Sequence, residues 1–210
     1  MRRTCLFALW VIALVPSQAH GQSKPTSAIL AYGQLGGLIP VSKLGPHVSV
    51  RLGAGYVLPV LAQRLAVVAD LGYSATTTDD TLVDPRLAGG AGADYSYSVT
   101  QRDLNLFIGS QGFILDPFSF VVPYAAAGVD LHFLDTRAEG VSGSEALGDN
   151  NETSTKVGFA LRAGAGIRLG PGLITGEASF AWAPLDHDIT GDSHLGRFAL
   201  LVGYTAMFGL

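Results

Sequence analysis

The sequence predicts an all-β fold, an eight-stranded antiparallel up-and-down transmembrane β-barrel. Three observations carry that expectation. Apolar residues recur at every second position in most of eight strand-like segments, the period of a strand with two unlike faces. The connections between these segments alternate between short turns with Pro or Gly and longer polar stretches. The chain is also oily, with a mean hydropathy of +0.34 and only 14% charged residues. Yet after residue 21 no apolar run is long enough for a membrane-spanning helix. Hydrophobicity spread thinly at period two is how a barrel crosses a membrane without a helical signal.

Residues 1–21, MRRTCLFALWVIALVPSQAHG, have the form of a secretory signal peptide. Arg2 and Arg3 supply the charged start, residues 6–15 the apolar run, and Ala19, His20 and Gly21 a small-residue cleavage site. Cleavage is expected after Gly21, leaving residues 22–210 as one barrel domain. The only cysteine, Cys5, departs with the signal, so no disulfide is expected in the exported chain. Removing Arg2 and Arg3 widens the acidic excess, already 17 against 13 in the full chain. That balance excludes a nucleic-acid partner, which needs clustered Lys and Arg.

In chain order the strands are expected near residues 27–38, 47–58, 63–75, 98–113, 121–134, 155–168, 173–183 and 196–210. The first, SAILAYGQLGGL, is ambiguous, because either parity suits an outward face. The second alternates Val48, Val50, Leu52, Ala54, Tyr56 and Leu58 with Ser49, Arg51, Gly53 and Gly55. The third sets Leu65, Val67, Ala69, Leu71 and Tyr73 against Ala66, Val68, Asp70 and Gly72. The fourth and fifth carry Asp103, Asn105, Gln111, Tyr124, Asp130 and His132 on one parity. The sixth alternates Val157, Phe159, Leu161, Ala163, Ala165 and Ile167 with Lys156, Gly158, Arg162, Gly164, Gly166 and Arg168. The seventh carries Glu177, and the eighth runs Phe198, Leu200, Val202, Tyr204, Ala206, Phe208 and Leu210 along one face. Short connections are expected near 59–62, 114–120 and 169–172, and longer polar loops near 76–97, 135–154 and 184–195.

Alternation places Arg51, Asp70, Asp103, Asp130, His132, Arg162, Arg168 and Glu177 on the face opposite the apolar one. Such residues are costly inside a small soluble core but suit the side-chain-filled interior of an eight-stranded barrel. Pairing about residues 60–61 sets Arg51 opposite Asp70, and pairing about Gly170 and Pro171 sets Arg162 diagonal to Glu177. A lumenal ion-pair network that plugs the barrel is the expectation. Tyr56, Tyr73, Tyr204, Phe107, Phe113, Phe118, Phe180 and Trp182 fall near expected strand ends. Aromatic belts and plain β-propensity both account for them. A soluble calyx of lipocalin type is the alternative fold.

The pattern resembles the small outer-membrane β-barrel proteins of Gram-negative bacteria, the family of the OmpA transmembrane domain and OmpX. The resemblance covers the chain after the signal peptide. It implies an outer-membrane location, both termini in the periplasm, and contact with outer-membrane lipid and lipopolysaccharide. It also implies recognition by the outer-membrane insertion machinery through a C-terminal signal. Val202, Tyr204 and Phe208 fit that signal, while Leu210 stands where the family usually ends in Phe. The peptidoglycan-binding domain that follows the barrel in full OmpA-type proteins is expected to be lacking. The role implied is structural or surface-interacting and non-enzymatic, for a monomer without cofactor. A minor pore for small solutes is the second reading. A lipid A-modifying enzyme is the third, its nearest constellation being His132 with Asp130 and Tyr124. Asp186, His187, Asp188, Asp192 and His194 read as a solvated acidic loop and not as a metal site.

Overall fold

The computed structural model describes residues 27–41, 44–84, 93–142, 145–185 and 193–210. The expected signal peptide, and all of the acidic loop segment except His194, lie outside these residues. The strands are β1 (Ala28–Pro40), β2 (His47–Val57), β3 (Leu65–Asp84), β4 (Ala93–Phe113), β5 (Val121–Ser142), β6 (Glu145–Leu169), β7 (Gly172–Pro184) and β8 (His194–Gly209). Each pairs antiparallel with its neighbours in sequence, and β1 pairs with β8 from Ala28↔Gly209 to Pro40↔Arg197, so the barrel is closed. Closure leaves no unpaired edge where backbone meets hydrocarbon.

Side-chain direction follows the alternation. Leu52, Leu71, Ile108, Val129, Leu161, Ile174, Leu200 and Val202 are exposed on the exterior. Arg51, Asp70, Asp103, Asp130, His132, Arg162 and Glu177 are buried in the lumen. A lipocalin-type calyx has the reverse polarity, and an exterior this apolar matches lipid, not water, as its solvent. The first strand resolves with Leu30, Gln34 and Leu38 buried and Ile29, Leu35 and Ile39 exposed.

Two expectations about the connections are corrected. The turn between β2 and β3 is wider than residues 60–61. Leu61, Ala62 and Gln63 take left-handed φ values of 51°, 55° and 64°, and the Leu58 N–H donates to the Leu65 carbonyl at 2.8 Å. The register therefore moves by two, and Arg51 pairs with Gly72, while Asp70 pairs with Gly53. By contrast the β6–β7 register agrees with expectation, Arg162 lying opposite Ser179.

The stretches 76–97 and 135–154 are also mostly strand. The β3–β4 ladder continues to Asp84↔Ala93 and the β5–β6 ladder to Ser142↔Glu145, with one irregularity between Gly140 and Val141. Polar residues on both faces erased the alternation there, because both faces leave the membrane. Meanwhile the β2–β3 ladder stops at Ser49↔Ser74, and the β6–β7 ladder begins only at Phe159↔Trp182. Strands β3 to β6 thus rise past their neighbours as a projecting four-stranded sheet whose two edges are open among the described residues.

The aromatic residues divide. Tyr56, Tyr73, Trp182 and Tyr204 face out, and Phe180 packs between Phe159 (6.2 Å) and Phe198 (4.9 Å), with Trp182 also on Phe159 at 5.9 Å. Phe107 and Phe113 are buried instead. They share the odd parity of Asp103 and Asn105 on β4, so alternation itself directs them inward.

Candidate functional site

The lumen is layered along the barrel axis. At the end with the short turns an apolar base packs Leu30, Val57, Val68, Phe113, Val122, Tyr124, Leu173 and Met207. Above it lies a first charge cluster. Arg162 makes a bidentate pair with Asp70, Nη1 to Oδ2 at 2.6 Å and Nη2 to Oδ1 at 3.1 Å. The Arg51 Nε sits 3.5 Å from the same Asp70 carboxylate, and its Nη1 bridges Glu177 and the Gln34 Oε1, the latter at 3.0 Å. Tyr32 donates to Asp70 at 2.7 Å and Tyr124 to Glu177 at 3.0 Å. The Arg162 guanidinium lies 3.5 Å from the centroid of the Phe107 ring, which adds cation–π attraction in a dry setting. Gly109 and Gly128 make room for that ring, since a Cβ on either would stand within 2.8 Å of it.

A second cluster lies nearer the other end. Arg197 pairs with Asp103 and, at 3.2 Å, with Asp130. His132 turns Nδ1 toward Asp103 at 3.0 Å and Nε2 toward Asp130 at 3.4 Å. Asn105 donates to the other Asp130 oxygen at 2.8 Å. Above this, Gln101 donates to Thr136 at 3.2 Å. Cavities of about 20 Å³ adjoin the two clusters, one beside Arg162 and Glu177 and one beside Asp103 and Arg197. Each has room for one water molecule.

Seven of the eight expected lumenal residues meet in these clusters, though with different partners. Arg51 reaches Asp70 diagonally, not from the directly opposed position. Asp70 is the bidentate partner of Arg162, and Glu177 pairs with Arg51 across the lumen from β2 to β7. Arg168 is the correction. It lies at the short-turn rim, donating to the Ser119 carbonyl at 3.2 Å and the Pro117 carbonyl at 2.8 Å, over Phe118. Turn carbonyls need donors, and Arg168 serves them. Arg197, Tyr32 and Gln34 are cluster members that the sequence did not single out. Extending the inward parity of β8 by one step, from Ala199, finds Arg197, whereas Tyr32 and Gln34 lie on β1, whose facing the sequence leaves ambiguous.

The enzyme constellation does not assemble. Tyr124 belongs to the first cluster and His132 to the second, with both imidazole nitrogens facing carboxylates and no exposed surface. General acid–base work needs a nitrogen within reach of substrate. Of the assembly-signal residues, Val202, Tyr204, Phe208 and Leu210 are all exposed on the exterior. The Tyr204 hydroxyl donates to the Leu169 carbonyl at 3.1 Å, and the Leu210 N–H to the Ser27 carbonyl at 2.9 Å.

No family model matches the chain, and no curated protein is similar to it at a meaningful level. Solved structures do match. The outer membrane protein OprG of Pseudomonas aeruginosa superposes with a TM-score of 0.51 at 12% identity, over 89% of this chain and 98% of that one. The fold is that of the small outer-membrane β-barrels. A major outer membrane protein of Thermus thermophilus is similar at a TM-score of 0.46 and 14% identity, covering 87% and 99% of the two chains. The Ail protein of Yersinia pestis is similar at 0.41 and 15%, covering 85% and 96%. In this barrel the extra height lies in β3 to β6, and among the described residues the lumen is filled by the two charge clusters above an apolar base.

Proposed function

We propose that the chain is an outer-membrane protein, exported through a cleaved signal peptide, that works by surface interaction and does no chemistry of its own. The short turns then lie in the periplasm, and the projecting sheet stands outside the cell. The observation that carries the reading is that sheet. Four strands continue well past the barrel wall, with Asp79, Asp80, Asp84, Asp94, Asp135, Glu139, Glu145, Asp149 and Glu152 against only Arg102, Arg137 and Lys156. A surface built only to close a barrel has no use for it. The lumen, in the same reading, is plugged. An ion that enters would have to separate buried pairs at two levels and then wet the apolar base. Lipid and lipopolysaccharide surround the wall, the insertion machinery reads β8, and the barrel is a monomer.

The deciding experiment is gel mobility of the chain from fractionated membranes, heated and unheated. A folded barrel in the outer-membrane fraction shifts on heating, and a chain in the aqueous fraction refutes the location. Planar-bilayer recordings are expected to give no steady conductance, and a reproducible open current refutes the plug. Mass spectra of lipid A from cells carrying the wild type or His132→Ala are expected to be identical.

A further inference from the structure

We propose that the outer wall at the β8–β1 seam holds one acyl chain of a membrane lipid in a fixed slot. This deepens the reading that lipid surrounds the wall, and rests on it. The registers lay the slot out. One outward row runs Ala178, Leu200, Gly37 and Val48 from β7 to β2, and the row above it runs Phe180, Phe198 and Ile39. Here lies an apolar depression of about 330 Å³, toward the rim opposite the short turns. Gly37 and Ala178 belong to its floor, Ile39, Phe198 and Leu200 to its walls, and Pro46 to its upper end. That volume takes about ten water-sized groups, and a methylene is close to that size.

Glycine is disfavoured inside a strand, and where it persists another body often approaches the backbone. Gly36 and Gly203, on the two seam strands, have an internal reason. A Cβ on either would stand within 2.1 Å of a neighbouring carbonyl oxygen. A Cβ on Gly37 would meet nothing within 4 Å, and no positive φ calls for glycine there. The same is true of Gly176, the next outward residue below Ala178 on β7. No packing within the chain needs these gaps, so what fills them lies outside it. Phe198 is held against Phe180, ring centroids 4.9 Å apart, and does not swing in to close the slot. The wall here faces hydrocarbon, which selects the occupant. A flexible chain follows a narrow slot and gains dispersion contacts from three sides, where flat wall gives it one. A second copy about a two-fold axis would set the projecting Leu200, 69% exposed, against its own counterpart and leave both slots unfilled.

The test uses the full barrel in nanodiscs of phosphatidylcholine. The probe is a small share of the same lipid with a photoreactive diazirine on one acyl chain. After irradiation and proteolysis, mass spectrometry maps the adducts. Labelling of residues 35–39 and 198–202 is expected to exceed that of 104–108 and 129–133, exterior stretches of β4 and β5, by about tenfold. Gly37→Leu fills the slot from a position with open space around it. Heat-dependent gel mobility should stay unchanged, while labelling of the slot falls to that of the remaining wall. Gly37→Val, smaller and suited to a strand, should lower it in part. Even labelling around the wall would overturn the proposal. So would slot labelling that survives both substitutions in barrels that still shift on heating, or crosslinks between two copies through β1 and β8. A chain found in the aqueous fraction fails the broader reading before any probe is added, so the two failures are distinct.

Discussion

Arg162–Asp70 and Arg137–Asp149 are ion pairs of the same chemistry with opposite surroundings. The first sits in the lumen, its side chains 3% and 0% exposed, and the second on the projecting sheet, 56% and 65% exposed. Water screens the sheet pair, and holding long side chains in one geometry offsets most of its attraction. In the lumen neither group is exposed, so removing one leaves the other buried without its bidentate partner. The strands that carry both pairs run from one environment into the other. Identical backbone, changed solvent: the difference teaches that position along a strand decides what a charge is worth.

The comparison breaks most severely at Asp70, which serves Arg162, Arg51 and Tyr32 together. Asp70→Ala should cost about 3–5 kcal/mol by stranding buried charge, read as a lowered urea midpoint for the lipid-refolded barrel. Replacing both partners, Asp70→Leu with Arg162→Met, removes the stranded charge and should recover most of that loss. An unchanged midpoint for Asp70→Ala would show the lumen to be wet. Next is a matched pair on β3. Leu71→Arg on the lipid face should cost about 2–4 kcal/mol near the bilayer centre, whereas Thr77→Arg above the membrane should stay within about 0.5 kcal/mol. Similar costs at the two sites would erase the proposed boundary between solvents.

Smaller again is Gly109→Ala, whose Cβ would meet the Phe107 ring at 2.6 Å and also press on the Ala127 carbonyl. It should push the ring off Arg162 and cost about 1–3 kcal/mol, visible as a shifted Phe107 signal in NMR spectra. Smallest is Arg137→Ala, at most about 1 kcal/mol. Whatever it costs should fade as salt is added, while the Asp70→Ala loss persists.

Much of this architecture was legible in the chain. Period-two alternation marked eight strands and sent Arg51, Asp70, Asp103, Asp130, His132, Arg162 and Glu177 inward. It failed where its physical cause failed. At Thr77, Asp79 and Asp80, or Arg137 and Glu139, water touches both faces, so no alternation is selected and strands read as loops. Arg168 obeyed the parity but lay at the rim, where turn carbonyls are nearer than any carboxylate of the clusters.

Alone, the sequence determined, for the strands after the first, which side chains face lipid and which face the lumen, because the pleat ties face to residue parity. Which inward charges meet was decided only by the closed barrel. Arg51 with Glu177, Arg162 with Asp70, and Arg197 with Asp103 join strands far apart in the sheet order, β2 to β7, β6 to β3 and β8 to β4. Those distances are set by closure and by a left-handed turn that moved one register by two, and no local pattern encodes either.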